Sequence, residues 1–292
     1  MDIKHNPKFS PKQLARAIGV SEASIKRWCD KGILVFHKTA GGHRRLNLHT
    51  ILDFLKENEY ELVQPDVLGL PAAVGTGPRT LAQASKLYIQ ALENGDEEQC
   101  MRLALDLRLA GHSMAVIGDH LIAPAFHALG EQWQHGELEV YQERRGVEMT
   151  RRVLLRLRDT QASPDTLAPV AIGVTLKGDP YTLPAQLGEL VFSELGWRAR
   201  FFGNDLPAET VAQAVRDLKP RVLWLSVSHV EDQDRIVAEC NRLYETCCEV
   251  QCALAVGGHA LTESLRQRIR YASFGDTLQH LHAFALSLFR VT

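Results

Sequence analysis

Apolar residues recur at helical spacing near the start of the chain. Over 11–18, Leu14, Ala15 and Ile18 share one face, and Gly19 ends the run. Ser21 is placed to cap a second helix by accepting a backbone N–H two or three residues on. In that second helix Ile25 and Trp28 fall on the apolar side. Ser21, Glu22, Ser24, Lys26 and Arg27 are left facing outward. Two short helices joined by a tight turn are the pattern of a helix-turn-helix. After Gly32, the apolar run 33–36, a glycine-rich turn and the segment 46–48 predict two strands joined by a wing. A helix over 50–60, with Ile51, Phe54 and Leu55 on one side, closes a first domain at 1–62.

The pattern then changes twice. Residues 64–79 collect Pro65, Gly69, Pro71, Gly75, Gly77 and Pro78, which reads as a linker, bounded at 63–79. Helical spacing resumes, with four helices expected near 80–93, 96–109, 113–134 and 140–158. Short connections make neighbours antiparallel, so 80–160 is expected to form a four-helix bundle. From Pro169 on, β-rich runs at 170–176, 198–203, 222–227 and 253–257 alternate with helical stretches near 183–195, 207–218, 231–246 and 262–269. Alternation of that kind gives a doubly wound parallel sheet covered on both faces, here over 168–292. The expected fold class is therefore multidomain, α followed by α/β. Ligands of such sheets sit at the carboxyl ends of the strands. Those ends carry Lys177 to Tyr181, Gly203-Asn204-Asp205, Ser226 to His229 and Gly257-Gly258-His259.

Charge adds a partner to this outline. Residues 1–50 hold ten Lys or Arg against three acids, a formal +7, whereas the whole chain carries −2, so the remainder carries −9. A basic head on an acidic body is the footprint of a protein that reads double-stranded DNA with one part and keeps the rest off the duplex. In the run Gly41-Gly42-His43-Arg44-Arg45 the glycines let backbone approach a phosphate, and Lys38, His43, Arg44 and Arg45 supply donors. The outward residues of the second helix are the candidates for base reading in the major groove. With 45% hydrophobic and 23% charged residues and no apolar run of membrane-spanning length, a soluble, cytoplasmic protein without a membrane partner is expected. The six cysteines form no paired Cys-x-x-Cys sites, and small buried hydrophobes are the simplest reading; a redox role for Cys247, Cys248 and Cys252 is the alternative.

Val20-Ser21, Trp28, Gly32 and Gly41 to Arg45 resemble the DNA-binding domain of the MerR superfamily. The remainder resembles the cobalamin-binding module, helical bundle plus Rossmann-like domain, of light- and cobalamin-responsive repressors in that superfamily. In that family a Trp covers the upper face of the corrinoid and a Glu ten residues on helps hold the adenosyl group. The resemblance assigns these roles to Trp133 and Glu143, with Arg144 where the family has His and Gln134 after the Trp. In the sheet domain the family's Asp-x-His-x-x-Gly loop supplies the lower cobalt ligand. Here Asp179 is followed by Tyr181 at the ligand position and Pro184 at the glycine. The serine motif persists as Ser226 and Ser228, and the glycine motif as Gly257 and Gly258.

A neutral phenol is a poor donor to cobalt compared with imidazole. Three readings of the module stay open: cobalamin bound without protein ligation; haem held by Tyr181, His135, His229 or His259; or a domain kept for assembly. The residues also have plain alternatives, among them Trp133 as core filling, Glu143, Arg144 and Arg145 as a solvated face, and Asp179 as the cap of the helix near Thr182. The expected function is transcriptional regulation by a homo-oligomer, dimer or tetramer, on a palindromic or repeated operator, with RNA polymerase a further partner of such a regulator. The alternative is a corrinoid-carrier subunit of a methyl-transfer or mutase enzyme. No metal site, Ser-His-Asp order or Walker loop marks the chain as an enzyme in its own right.

Overall fold

The computed structural model describes residues 7–72, 74 and 80–289. They form two compact units: the described residues up to His112 together with His120–Ala162, and Ser113–Asp119 together with the described residues from Ser163 on.

The first unit opens with β1 (Lys8–Phe9), α1 (Pro11–Ile18) and α2 (Glu22–Asp30). Ser10 and Gln13 form a reciprocal capping box at α1, and Gly19 ends that helix in the left-handed region at φ +72°. Ser21 caps α2 by accepting the Ser24 N–H. Strands β2 (His37–Lys38) and β3 (Arg44–Asn47) make an antiparallel hairpin, and β1 pairs with the other edge of β3, giving the order β1-β3-β2. Helix α3 (Leu48–Glu57) follows directly. The core beneath is built from Leu14, Ala17, Ile18, Ile25, Leu34, Leu46, Ile51, Phe54 and Leu55, all buried.

Three expectations change here. The run 33–36 is not a strand: Leu34 dives into the core while Ile33 and Val35 point to solvent, and pairing begins only at His37, opposite Arg45. Leu48 belongs to α3, whose start is two residues earlier than expected. The segment after α3 is not a free linker. Val63 and Gln64 both donate to the Ala17 carbonyl, and a 3-10 turn at Pro65–Leu68 buries Pro65 and Leu68. Residues 73 and 75–79 of the expected linker lie outside the described residues, as does Lys4 of the basic count.

Helices α4 (Leu81–Asn94), α5 (Glu97–Leu109), α7 (Ala123–Gln134) and α8 (Val140–Asp159) pack together around Tyr88, Leu92, Leu103, Leu129, Met149 and Val153. Inside this packing the Tyr88 hydroxyl and Thr150 Oγ1 satisfy each other at 3.1 Å. The expected single helix at 113–134 is broken. Its first turn, α6 (Met114–Ile117), is followed by a π-helical segment at Gly118–Ile122, and residues 113–119 belong to the second unit. There the Met114 N–H is held by Glu194, and Asp119 accepts the N–H groups of Leu278 and Gln279.

The second unit carries β4 (Val170–Val174), α9 (Leu183–Glu194), β5 (Arg198–Phe201), α10 (Ala208–Leu218), β6 (Val222–Ser226), α11 (Gln233–Glu249), β7 (Ala253–Gly257), α12 (Glu263–Arg266), β8 (Ser273–Gly275) and α13 (Leu278–Phe289). All strand pairs are parallel, in the order β5-β4-β6-β7-β8. Alternate residues feed two cores. Ile172, Val174, Leu223, Leu225, Leu254 and Val256 meet α10 and α11, while Ala171, Trp224 and Ala255 meet Phe192, Trp197 and Ala285 on the opposite face. Trp224 lies over Gly173, where an added Cβ would stand 1.8 Å from the indole, and donates its N–H to the Ala185 carbonyl at 3.2 Å. Strand β8 and helix α13 extend the sheet beyond the four strands expected. Within the sheet unit the doubly wound plan holds.

Candidate functional sites

The basic head presents two groups of exposed side chains. On α2, Ser21, Lys26 and Arg27 are exposed and Glu22 and Ser24 partly so. The Ser21 and Ser24 hydroxyls are 3.0 Å apart, and Lys26 pairs with Glu22 at 2.8 Å, one helical turn away. The Lys26 ammonium holds the Glu22 carboxyl below its usual range. Lys12, at the exposed start of α1, acts on the same carboxylate, which puts a further cation beside this helix. Sequence reasoning counted Lys12 in the charge but not in the site; the capping box that fixes where α1 begins was the available signal. Trp28 does not face outward: its ring lies 5.1 Å from Phe54 and 5.4 Å from Tyr60, fastening α2 to α3. On the hairpin Lys38 and His43 are exposed, and Arg44 and Arg45 are half-buried. Arg44 is turned inward to an ion pair with Asp30, whereas Arg45 meets the Arg44 carbonyl at 3.4 Å.

On the helical bundle, Trp133 is 51% exposed near the end of α7, which excludes the core-filling reading. Val140 and Tyr141, just across the connecting turn, are exposed as well. Glu143 pairs with Arg144 at 3.4 Å. Arg145 leaves the expected solvated face and donates to the Glu93 carbonyl at 2.7 Å, closing the carboxyl end of α4.

In the sheet unit the loop after β4 meets the loop after β6. Asp179 is 3% exposed, and its carboxylate accepts the N–H groups of Ser228 at 2.6 Å, Tyr181 at 3.0 Å and His229 at 3.3 Å. Burial raises its pKa above the ordinary carboxylate value, a shift the three backbone donors oppose without reversing. The alternative reading of Asp179 as the cap of α9 does not hold: Thr182 occupies the cap position, and no side chain bonds there. Tyr181 is half-exposed, its ring 6.5 Å from that of His229. Ser226 and Ser228 are buried with their hydroxyls 3.5 Å apart. The space between Leu176, Asp179, Ser226 and His229 is about 10 Å³, room for one water. The glycines serve the protein's own backbone. A Cβ on Gly258, at φ +116°, would stand 2.2 Å from the Val227 carbonyl oxygen, and one on Gly257 2.8 Å from that of Gly275.

The turn from Asp179 to Tyr181 itself offers a corrinoid no imidazole. Tyr181 presents a half-exposed phenol, a poorer donor to cobalt than an imidazole, beside the ring of His229. Among the described residues no group of three or more His, Cys, Asp and Glu is arranged to hold a metal. No described helix is long and apolar enough to cross a membrane.

Two family models match parts of the chain, both largely within the first compact unit. Residues 9–59 match the helix-turn-helix domain family, and residues 85–158 match the B12 binding domain family. The trimethylamine corrinoid protein of Methanosarcina barkeri is 21% identical over 192 residues, which cover 64% of this chain and 88% of that protein. Among solved structures, the monomethylamine corrinoid protein of Methanosarcina barkeri superposes with a TM-score of 0.58 at 15% identity, over 72% of this chain and 100% of that one. A cobalamin-binding protein from Desulfitobacterium hafniense matches at 17% identity and a TM-score of 0.37, over 73% of this chain and 98% of that one. The chain thus joins a helix-turn-helix domain to a B12-binding domain and a mixed α/β fold like that of corrinoid proteins.

Proposed function

We propose that this chain is a DNA-binding transcriptional regulator of MerR type, in which a winged helix-turn-helix head reads an operator and the bundle and sheet module governs how many copies gather there. One observation carries the reading: the exposed face of α2, the hairpin cations Lys38 and Arg45, and the exposed His43 lie on one small, strongly basic domain that matches the helix-turn-helix family. A recognition helix of nine residues spans roughly 14 Å, too little for a whole operator, so useful affinity needs two or more heads. Homo-oligomerisation, a cytoplasmic location and contact with RNA polymerase belong to the same proposal.

Similarity to corrinoid proteins favours a second reading, a carrier of methyl or alkyl groups. Tyr181 speaks against it, because a carrier of the family's type depends on an imidazole at that place. If cobalamin regulates the chain, it is held without a bond from residue 181.

Absorption spectra of the full chain with and without added adenosylcobalamin, followed by mobility shift of genomic fragments on the same samples, separate these readings. The regulator reading expects DNA retention in both samples and no spectral mark of protein imidazole on cobalt. Failure to retain DNA together with an imidazole-ligated spectrum would establish the carrier.

A further inference from the structure

Strand residues alternate between two sides, so Arg44 shares a side of β3 with Leu46, which is fully buried, and Arg45 shares the other with Asn47. The contacts agree. The Arg44 guanidinium pairs with Asp30, the last residue of α2, and lies 5.3 Å from the centre of the Phe36 ring. Its Nε is buried and meets no acceptor among the described residues. Asp30 and Phe36 stand at the two ends of the turn that leads from α2 into the hairpin. One side chain therefore links the recognition helix, the turn and the central strand. Arg45, on the opposite side, has no carboxylate partner among the described residues and is the arginine free to meet phosphate.

Resting on the DNA-binding reading, we propose that Arg44 is a positioning residue that sets the hairpin on α2 through Asp30, and that the phosphate-facing groups of the hairpin are Lys38, His43 and Arg45. A cation already neutralised by a carboxylate releases no counterion when DNA arrives. It therefore adds nothing to the salt dependence of binding, whereas each phosphate contact steepens the slope of log K against log salt by about 0.9.

The experiment measures binding of the full-length chain to a mixed-sequence duplex by fluorescence anisotropy across a salt series. Arg45→Ala flattens the slope by about 0.9. Arg44→Met, which keeps the aliphatic stem over Phe36, weakens binding by roughly fivefold to tenfold at every salt concentration and leaves the slope unchanged. A slope flattened by Arg44→Met as much as by Arg45→Ala overturns the proposal while leaving DNA binding intact. Absence of binding by the unmodified chain at low salt overturns both.

The reversed pair guards against a variant that does not fold. Asp30→Arg combined with Arg44→Asp regains affinity and thermal stability lost in Arg44→Asp alone, because the link is re-formed with opposite polarity. A double variant that binds no better than Arg44→Asp overturns the positioning role.

Discussion

The buried carboxylate of Asp179 accepts the Ser228 backbone N–H at 2.6 Å, and by that bond the turn after β4 is fastened to the turn after β6. Both turns lie at the carboxyl ends of adjacent strands, where doubly wound sheets receive their ligands. Here the carboxylate is engaged with the protein's own backbone, at Ser228, Tyr181 and His229.

Asp179 gives the sheet unit a pH signature. Burial raises its pKa in the folded state, so relative to an uncharged side chain its contribution to stability is largest below the ordinary carboxylate range. That contribution declines as pH rises through the raised value. Asp179→Asn removes the dependence but turns an amide donor toward one of the backbone N–H groups. It is expected to destabilise the protein at neutral pH by about 1–3 kcal/mol. Urea unfolding of both proteins across the acid range should show the unmodified chain gaining on the variant as pH falls.

Gly258→Ala should be severely destabilising. The backbone there is left-handed and the new methyl group would meet the Val227 carbonyl, so strain and overlap together cost about 3 kcal/mol or more. Thermal unfolding reads this directly; an unchanged midpoint would show that space beside Gly258 was open after all.

Ser21 separates stability from recognition. Ser21→Ala removes the α2 cap and should cost about 1 kcal/mol. Ser21→Asp keeps a capping acceptor but adds a negative charge at the start of the recognition helix. It should retain near-normal stability while losing DNA affinity, a split visible by comparing unfolding midpoints with binding isotherms.

Thiol chemistry tests the reading of the cysteines. Cys29, Cys100, Cys240, Cys247 and Cys252 are buried and Cys248 is exposed. Burial pushes the Cys100 and Cys240 thiols up to about 12, far from a reactive range. A thiol-specific reagent should modify the native protein rapidly at Cys248, an event lost in Cys248→Ser, and reach the other five on unfolding.

Helical spacing, caps and strand-helix alternation were strong enough in the sequence to show the helix-turn-helix, the helical stretch and the parallel sheet, though the chain folds as two compact units. What they missed has local physical causes. The run 33–36 is apolar without being paired; β-type composition cannot distinguish an extended crossing from a strand when the hydrogen bonds form one residue later. Pro65 and Gly69 read as linker punctuation, yet the same residues build a 3-10 turn whose Leu68 is buried and whose approach is bonded to Ala17. Helix α13 is apolar on most sides and has no clear stop before it, so its period carries little signal. At the site, Arg44 and Arg45 are indistinguishable by composition. The parity of Leu46 was the signal that Arg44 turns inward. The roles of Asp179 and Gly258 depend on backbone from distant strands, which spacing along one loop does not reveal.

The central claim is that the basic head grips duplex DNA in more than one copy. Its most direct test is retention of random genomic fragments by the purified full-length chain at low ionic strength, with sequencing of what is retained. The account predicts steeply salt-dependent retention, enrichment of a palindromic or repeated site with half-sites a helical turn or a multiple apart, and loss of that enrichment in Lys26→Ala and Arg27→Ala. A chain that retains no fragment even at the lowest salt would contradict it.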